Sequence, residues 1–193
     1  MNLINIKTAV KTLKNGLPII FQTDTLPAIG CLPEFSKIIY AFKKRDRNKP
    51  LILMGSDHKQ LIDYVHESAK QDYVNVASKY WPGALTLVVP CSKNFSAILT
   101  SKDFTLGLRI PNSLTAQSLM KDTGPLLTSS ANISGSKGST TVEGIALDFP
   151  SVDILGPIPW IKGSGKASTI ITWRKNQDWR LIREGEVKID GLY

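Results

Sequence analysis

Short, nearly continuous apolar runs recur along this chain with helix-period segments or polar turns between them, and that alternation restricts the fold more than any other feature. Residues 17–22 (LPIIFQ) are apolar at almost every position, as a strand covered on both faces must be. Residues 51–54 repeat the pattern, and 84–89, 105–110, 126–128, 170–173 and 179–183 are also predicted as strands. Between them, a first helix closes at Gly16, and Phe35, Ile38, Ile39 and Phe42 fall at i, i+3, i+4 and i+7. That spacing puts one apolar face on a helix ending at Lys43 and Lys44, where cations suit the negative end of the helix dipole. Further helices are predicted at 58–66, at 71–80 until Trp81-Pro82-Gly83 breaks the pattern, at 113–120 and at 142–149. Several strands adjoin without an intervening helix, so the sequence predicts an α/β protein with a mixed rather than a strictly parallel sheet. No repeat, low-complexity tract or linker divides the 193 residues, and 1–193 is expected to form one domain.

Composition narrows the function. The longest apolar stretches are strand-sized, and the N-terminal residues lack the unbroken apolar run of a signal peptide, which predicts a cytoplasmic protein with no membrane partner. Cys31 and Cys91 lie far apart without a CxxC pattern or a neighbouring histidine, so buried reduced thiols are expected and no metal site. His58 and His66 have no ligand-like neighbours and are expected at the surface, and Trp160, Trp173 and Trp179 chiefly in the core. The charge balance is more informative: 24 basic against 16 acidic residues leave +8, which favours polyanions such as nucleotide phosphates, nucleic acid or an anionic membrane.

Two stretches could carry chemistry. Residues 43–50 (KKRDRNKP) hold five positive side chains in eight residues, and read either as a phosphate cradle or as the solvated end of a helix. Pro50 pushes Lys49 out of the helical region and keeps the loop extended. Residues 129–135 (SSANISG) place small hydroxyl and amide groups after a strand, where they can donate to phosphate or carboxylate oxygens or form a polar turn. No GxxxxGK[ST] and no GxSxG occur, which excludes a P-loop and a nucleophile elbow. Gly163-Ser164-Gly165-Lys166 has the composition of an anion nest.

Taken in order, FQTDTLPAIGC, FKKRDRNKPLIL, YWPGALTLVVP, LGLRIP, LLTSSANISG, GKASTII and LIREG resemble the motifs of the YrdC-like family of threonylcarbamoyl-AMP synthases over about residues 16–185. The resemblance implies the short form of that family, with a twisted mixed sheet around a positively charged cavity. It implies synthesis of threonylcarbamoyl-AMP and pyrophosphate from L-threonine, bicarbonate and ATP, with Mg²⁺ on the phosphates. The product would serve threonylcarbamoyladenosine formation in tRNA through downstream transfer proteins. The family's KxR pair falls on Lys43 and Arg45 and its SxN pair on Ser130 and Asn132, the four expected catalytic residues. Lys43, Arg45, Lys49, Thr105, Asn132, Thr140 and Arg183 match positions expected to bind ATP. Thr25, Arg109, Ser130 and Ser168 match positions expected near the amino acid, with Arg109 on its carboxylate. The family's PTDTVYGLG reads QTDTLPAIG here, so Pro27 and Ala28 replace an aromatic and a glycine. Pro27 predicts a stiff, extended segment after Thr25 and a changed amino-acid pocket. Two rival readings are a non-catalytic RNA-binding relative and a carbamoyl-transfer paralogue with another acceptor.

Overall fold

In the computed structural model the described residues are 1–92, 104–176, 178–189 and 191. Among them, ten strands join one sheet: β1 (Leu3–Ile4), β2 (Ile19–Phe21), β3 (Ala28–Cys31), β4 (Ile52–Met54), β5 (Leu85–Pro90), β6 (Thr105–Arg109), β7 (Leu126–Ser130), β8 (Asp153–Leu155), β9 (Thr169–Lys175) and β10 (Asp178–Arg183). Their spatial order is β1-β8-β2-β3-β7-β4-β6-β5-β9-β10. Pairs β1/β8, β2/β8, β4/β6 and β5/β9 run parallel. The other five pairs of that order run antiparallel, so the sheet is mixed, as predicted. The helices are α1 (Ile6–Lys14), α2 (Lys37–Lys43), α3 (His58–Ile62), α4 (Lys70–Tyr80), α5 (Leu114–Thr123) and α6 (Val142–Asp148). No described helix is long and apolar enough to cross a membrane.

Register explains how the sheet is covered. On one face Cys31, Leu127, Leu53, Leu108, Leu87 and Ile171 are successive cross-strand partners, and all are buried in one cluster beneath Ile39 and Tyr40 of α2, Tyr73 and Ala77 of α4 and Ile145 of α6. Each such large apolar side chain contributes about 1.5–3 kcal/mol by leaving water. On the other face Ile19, Phe21, Ala28, Leu126 and Met54 are covered by Ala9 and Leu13 of α1 and Ala116, Leu119 and Met120 of α5. Asn5 and Ser113 start these helices by accepting from the backbone N–H of Thr8 and Ala116. Beyond Met54 and Ala28 this same face continues as Thr128, Ile52, Gly107 and Val88, and there it opens into a cavity.

Several elements differ from the sequence reading. Strands β1, β3 and β8 were not predicted, and α3 stops at Ile62, after which His66 accepts from Ser68 N–H to start a 3-10 turn. A separate 3-10 turn, Pro33–Phe35, precedes α2. His58 and His66 are each only partly exposed, and the His58 ring lies 5.8 Å from that of Trp81 and 6.3 Å from that of Tyr73. The segment after Thr25 is bent at 24–26 and becomes extended only at Ala28. Both cysteines are free and buried, and burial pushes the Cys31 thiol up to about 12. Trp179 is buried, while Trp160 and Trp173 are partly buried against the main core.

Candidate active site

The cavity measures about 480 Å³ and its floor is built by alternate residues of β4, β5, β6 and β7. At its base Arg109 ends β6, 3% exposed. Its Nε donates to the Gly83 carbonyl at 3.0 Å, Nη1 to Thr25 Oγ1 at 2.9 Å and Nη2 to Asp24 Oδ1 at 2.7 Å. Burial lowers the affinity of this guanidinium for its proton, and the Asp24 carboxylate works in the opposite direction. Thr23 fixes the bend that presents Asp24 and Thr25, because its hydroxyl donates to Leu26 O at 2.7 Å and accepts from Thr25 N–H at 3.1 Å.

The 161–166 loop is packed directly on that bend. Ser164 N–H donates to Asp24 O at 3.0 Å and Gly165 N–H to Thr25 O at 3.4 Å. These amides are therefore engaged by the protein itself, which corrects the anion-nest reading of Gly163 to Lys166. Gly163 is required by the close approach: a Cβ there would overlap the Thr25 carbonyl oxygen and stand 2.9 Å from that of Thr23.

On the opposite wall Ser168 Oγ lies 2.9 Å from Thr86 Oγ1, and Arg183 Nη2 donates to Ser168 O at 2.8 Å. Thr86 was missed in the sequence, although alternation along 84–89 puts it on the same face as Val88, which pairs with Gly107. The basic loop supplies the rim. Asp46 Oδ1 accepts from Asn48 N–H, Arg45 Nε donates to Lys49 O at 3.2 Å and Nη2 to Pro50 O at 3.0 Å, and Tyr40 Oη donates to Lys49 O. The loop is thus held by its own bonds, as Pro50 suggests. Burial lowers the proton affinity of both Arg45 and Arg183, and Arg183 is lowered further by the charge of Arg45.

The SxN motif closes β7. Ser130 Oγ donates to Asn132 Oδ1 at 2.6 Å, Asn132 Nδ2 to the Ile133 and Ser136 carbonyls at 2.8 Å, and Ala131 N–H to Pro27 O at 2.7 Å. Lys43 donates from Nζ to the carbonyls of Ser130 and Asn132, and to Asn132 Oδ1 at 3.4 Å.

The structure therefore brings Thr25, Arg45, Lys49, Arg109, Ser130, Ser168 and Arg183 around one cavity. Lys43, Asn132, Thr105 and Thr140 are not among its lining residues. Thr105 stands on the same face of β6 as Gly107 and Arg109, one step further out. Thr140 is exposed, with its methyl near Gly165. At the altered motif Leu26 lines the cavity, while Pro27 is buried behind it and contributes its carbonyl to the SxN turn. Among the described residues no Asp or Glu lines the cavity, and no group of three His, Cys, Asp or Glu converges.

The chain resembles known proteins over most of its length. A threonylcarbamoyl-AMP synthase of Idiomarina loihiensis is 30% identical over 185 residues, covering 90% of this chain and 96% of that one. One of Buchnera aphidicola is 31% identical over 192 residues, covering 96% and 100%. The crystal structure of P. abyssi Sua5 complexed with L-threonine superposes with a TM-score of 0.84 at 28% identity over 93% of this chain, which spans 54% of that longer protein. E. coli YciO, at 23% identity and a TM-score of 0.80, shares the fold. The family model described as telomere recombination, for Sua5, YciO and YrdC proteins, matches residues 11–185, and the chain belongs to that family.

Proposed function

We propose that the chain is a threonylcarbamoyl-AMP synthase, forming threonylcarbamoyl-AMP and pyrophosphate from L-threonine, bicarbonate and ATP. The observation that carries this reading is the pairing, in one cavity, of a buried fork-shaped cation with a rim of further cations. A guanidinium has five N–H donors, of which Arg109 directs three at the protein, so two are left for a substrate carboxylate beside Thr25. Arg45, Lys49 and Arg183 face the same space, and among the described residues no carboxylate opposes them there, which suits a triphosphate. The names of the Idiomarina and Buchnera relatives and the threonine complex of P. abyssi Sua5 support the same substrates.

The threonine amine attacks carbon dioxide derived from bicarbonate and loses a proton to give a carbamate. A carbamate oxygen then attacks the α-phosphorus of ATP, and the bond from that phosphorus to the β-phosphate bridging oxygen breaks to release pyrophosphate. No covalent protein intermediate is needed, so the contribution of the chain is positioning and stabilisation of phosphoryl charge. Arg109, Thr25 and Ser168 hold the amino acid, with Ser130 at the junction. Arg45, Lys49 and Arg183 hold the phosphates, with Asn132, Thr105 and Thr140 on the nucleotide side. Among the described residues no carboxylate lines the cavity, so the lining does not fit a protein-held Mg²⁺, and a magnesium ion would come in with the nucleotide. The product would pass to transfer proteins acting on tRNA in the cytoplasm.

Incubation with labelled bicarbonate, ATP and threonine tests the reading. Labelled AMP ester and equimolar pyrophosphate are expected, and absence of threonine-dependent pyrophosphate release would overturn it in favour of the RNA-binding alternative. Turnover with another acceptor in place of threonine would favour the paralogue.

A further inference from the structure

Lys43 belongs to the basic loop in sequence and to the SxN loop in space. It is 1% exposed and among the largest fully buried side chains, whereas Arg45, Lys49 and Arg183 are half-buried or exposed at the cavity. Its ammonium has three N–H donors, and three acceptors surround it: the carbonyl oxygens of Ser130 and Asn132, and Asn132 Oδ1. The same residue also holds the loop through its backbone, since the carbonyl of Lys43 accepts from Ser134 N–H at 3.0 Å. Within the loop, Asn132 ties Ile133 and Ser136, and Ser130 ties Asn132. The lysine thus meets, at the end of β7, a stretch of the cavity wall built from small polar side chains.

We propose that Lys43 is a positioning residue, whose ammonium and carbonyl hold residues 130–136 in the shape that presents Ser130 to the cavity, and that it makes no contact with the nucleotide. A buried cation whose donors are all directed at one loop has none to offer a phosphate; the phosphate-facing charge comes from Arg45, Lys49 and Arg183. The role in turnover rests on the synthase reading above, but the effect on the loop does not.

Hydrogen exchange of the full chain without ligand therefore separates the two. In Lys43→Met, exchange within 130–136 should quicken at least tenfold while β4 and β6 keep their protection, and Arg45→Ala should leave the loop unchanged. Direct titration with the α,β-methylene analogue of ATP should give a Kd at least tenfold weaker for Arg45→Ala, and a clearly smaller loss for Lys43→Met, which reaches the nucleotide only through Asn132. Threonine-dependent pyrophosphate release by Lys43→Met should fall at least tenfold in kcat. Unchanged loop exchange, or a tenfold loss of analogue affinity with loop protection intact, overturns the proposal. Should methionine prevent folding, Lys43→Gln, which keeps an N–H donor, is read by the same two criteria. A chain that makes no AMP ester at all but loses loop protection on substitution sinks the synthase reading and leaves the positioning role standing.

Discussion

Arg109 keeps a formal charge almost out of reach of water, and such a charge persists only where a counter-charge and hydrogen bonds replace its hydration. Asp24, with its side chain 16% exposed, supplies the counter-charge at 2.7 Å. Asp24→Asn should therefore cost about 3 kcal/mol in urea-unfolding free energy, because it leaves the guanidinium buried with no ion partner. A loss below about 1 kcal/mol would mean that Thr25 and Gly83 hold the guanidinium by themselves. Arg109→Lys keeps the charge but cannot reach three acceptors in one plane, so KM for threonine should rise about tenfold; an unchanged KM would remove Arg109 from the carboxylate site. Lys43 gives a pH signature of the opposite kind to a stabilising ion pair. Burial, followed by the charge of Arg45 and opposed by Asp148, lowers its proton affinity from the ordinary 10.5 to about 8. Between those values the unfolded chain binds the proton that the folded chain has released, so stability rises with pH across the window; below about 8 both forms are protonated and the cost is constant. Relative to Lys43→Met, the parent should gain up to about 3 kcal/mol between pH 8 and 10.5. Yet the charge-assisted bonds to the SxN loop weaken over the same range, so activity should fall while the fold gains. Parallel loss of both would contradict this assignment.

At the level of elements, the site is made where the covering helices stop. α1 and α5 cover one half of a sheet face, and the remaining half, at Thr128, Ile52, Gly107 and Val88, is the floor of the cavity. The 161–166 loop then sets the position of the bend at 24–26 by backbone contact alone. Gly163→Ala should push that loop off Thr23 and Thr25, raising the KM for threonine and lowering Tm, while the Kd for ATP measured by titration stays within about threefold, since the basic loop proposed to hold the phosphates is elsewhere. Equal losses for both substrates would mean that the loop serves the whole cavity. Much of this arrangement was legible in the residues. The apolar run 17–22 exposed β2 because both faces of that strand are covered, and the charge of 43–50 together with the small polar groups of 129–135 marked two loops that meet at the cavity. β3 escaped because Pro27 and Gly30 interrupt its pattern, and its four buried residues owe their conformation to β2 and β7 on either side. β1 and β8, at two and three residues, are defined by their pairing and not by any local run. The inward turn of Lys43 was illegible for a different reason: nothing local distinguishes a lysine that faces phosphate from one that faces a carbonyl cluster across the chain.

For the molecule as a whole, the excess of +8 matters by where it is left unopposed. The Asp24 carboxylate is committed to Arg109, Asp46 to its own turn, and among the described residues no acidic one lines the cavity. Arg45 lowers the proton affinity of Arg183, and Arg183 that of Arg109, so these three positive charges feel one another across the cavity. Such a field draws a triphosphate strongly and a zwitterionic amino acid weakly, because the ammonium and carboxylate of threonine cancel at a distance. Screening separates the two cases. The Debye length falls from about 10 Å at 0.1 M salt to about 3 Å at 1 M, comparable with the span of the cavity and then shorter than it. Raising salt from 50 to 500 mM should weaken ATP binding about tenfold, mainly through the association rate, and threonine binding less than twofold. Arg183→Ala should flatten the salt dependence for ATP and leave that for threonine unchanged. If instead the two ligands lose affinity equally, the cations around the cavity act as separate surface charges, and the assignment of its rim to the phosphates falls.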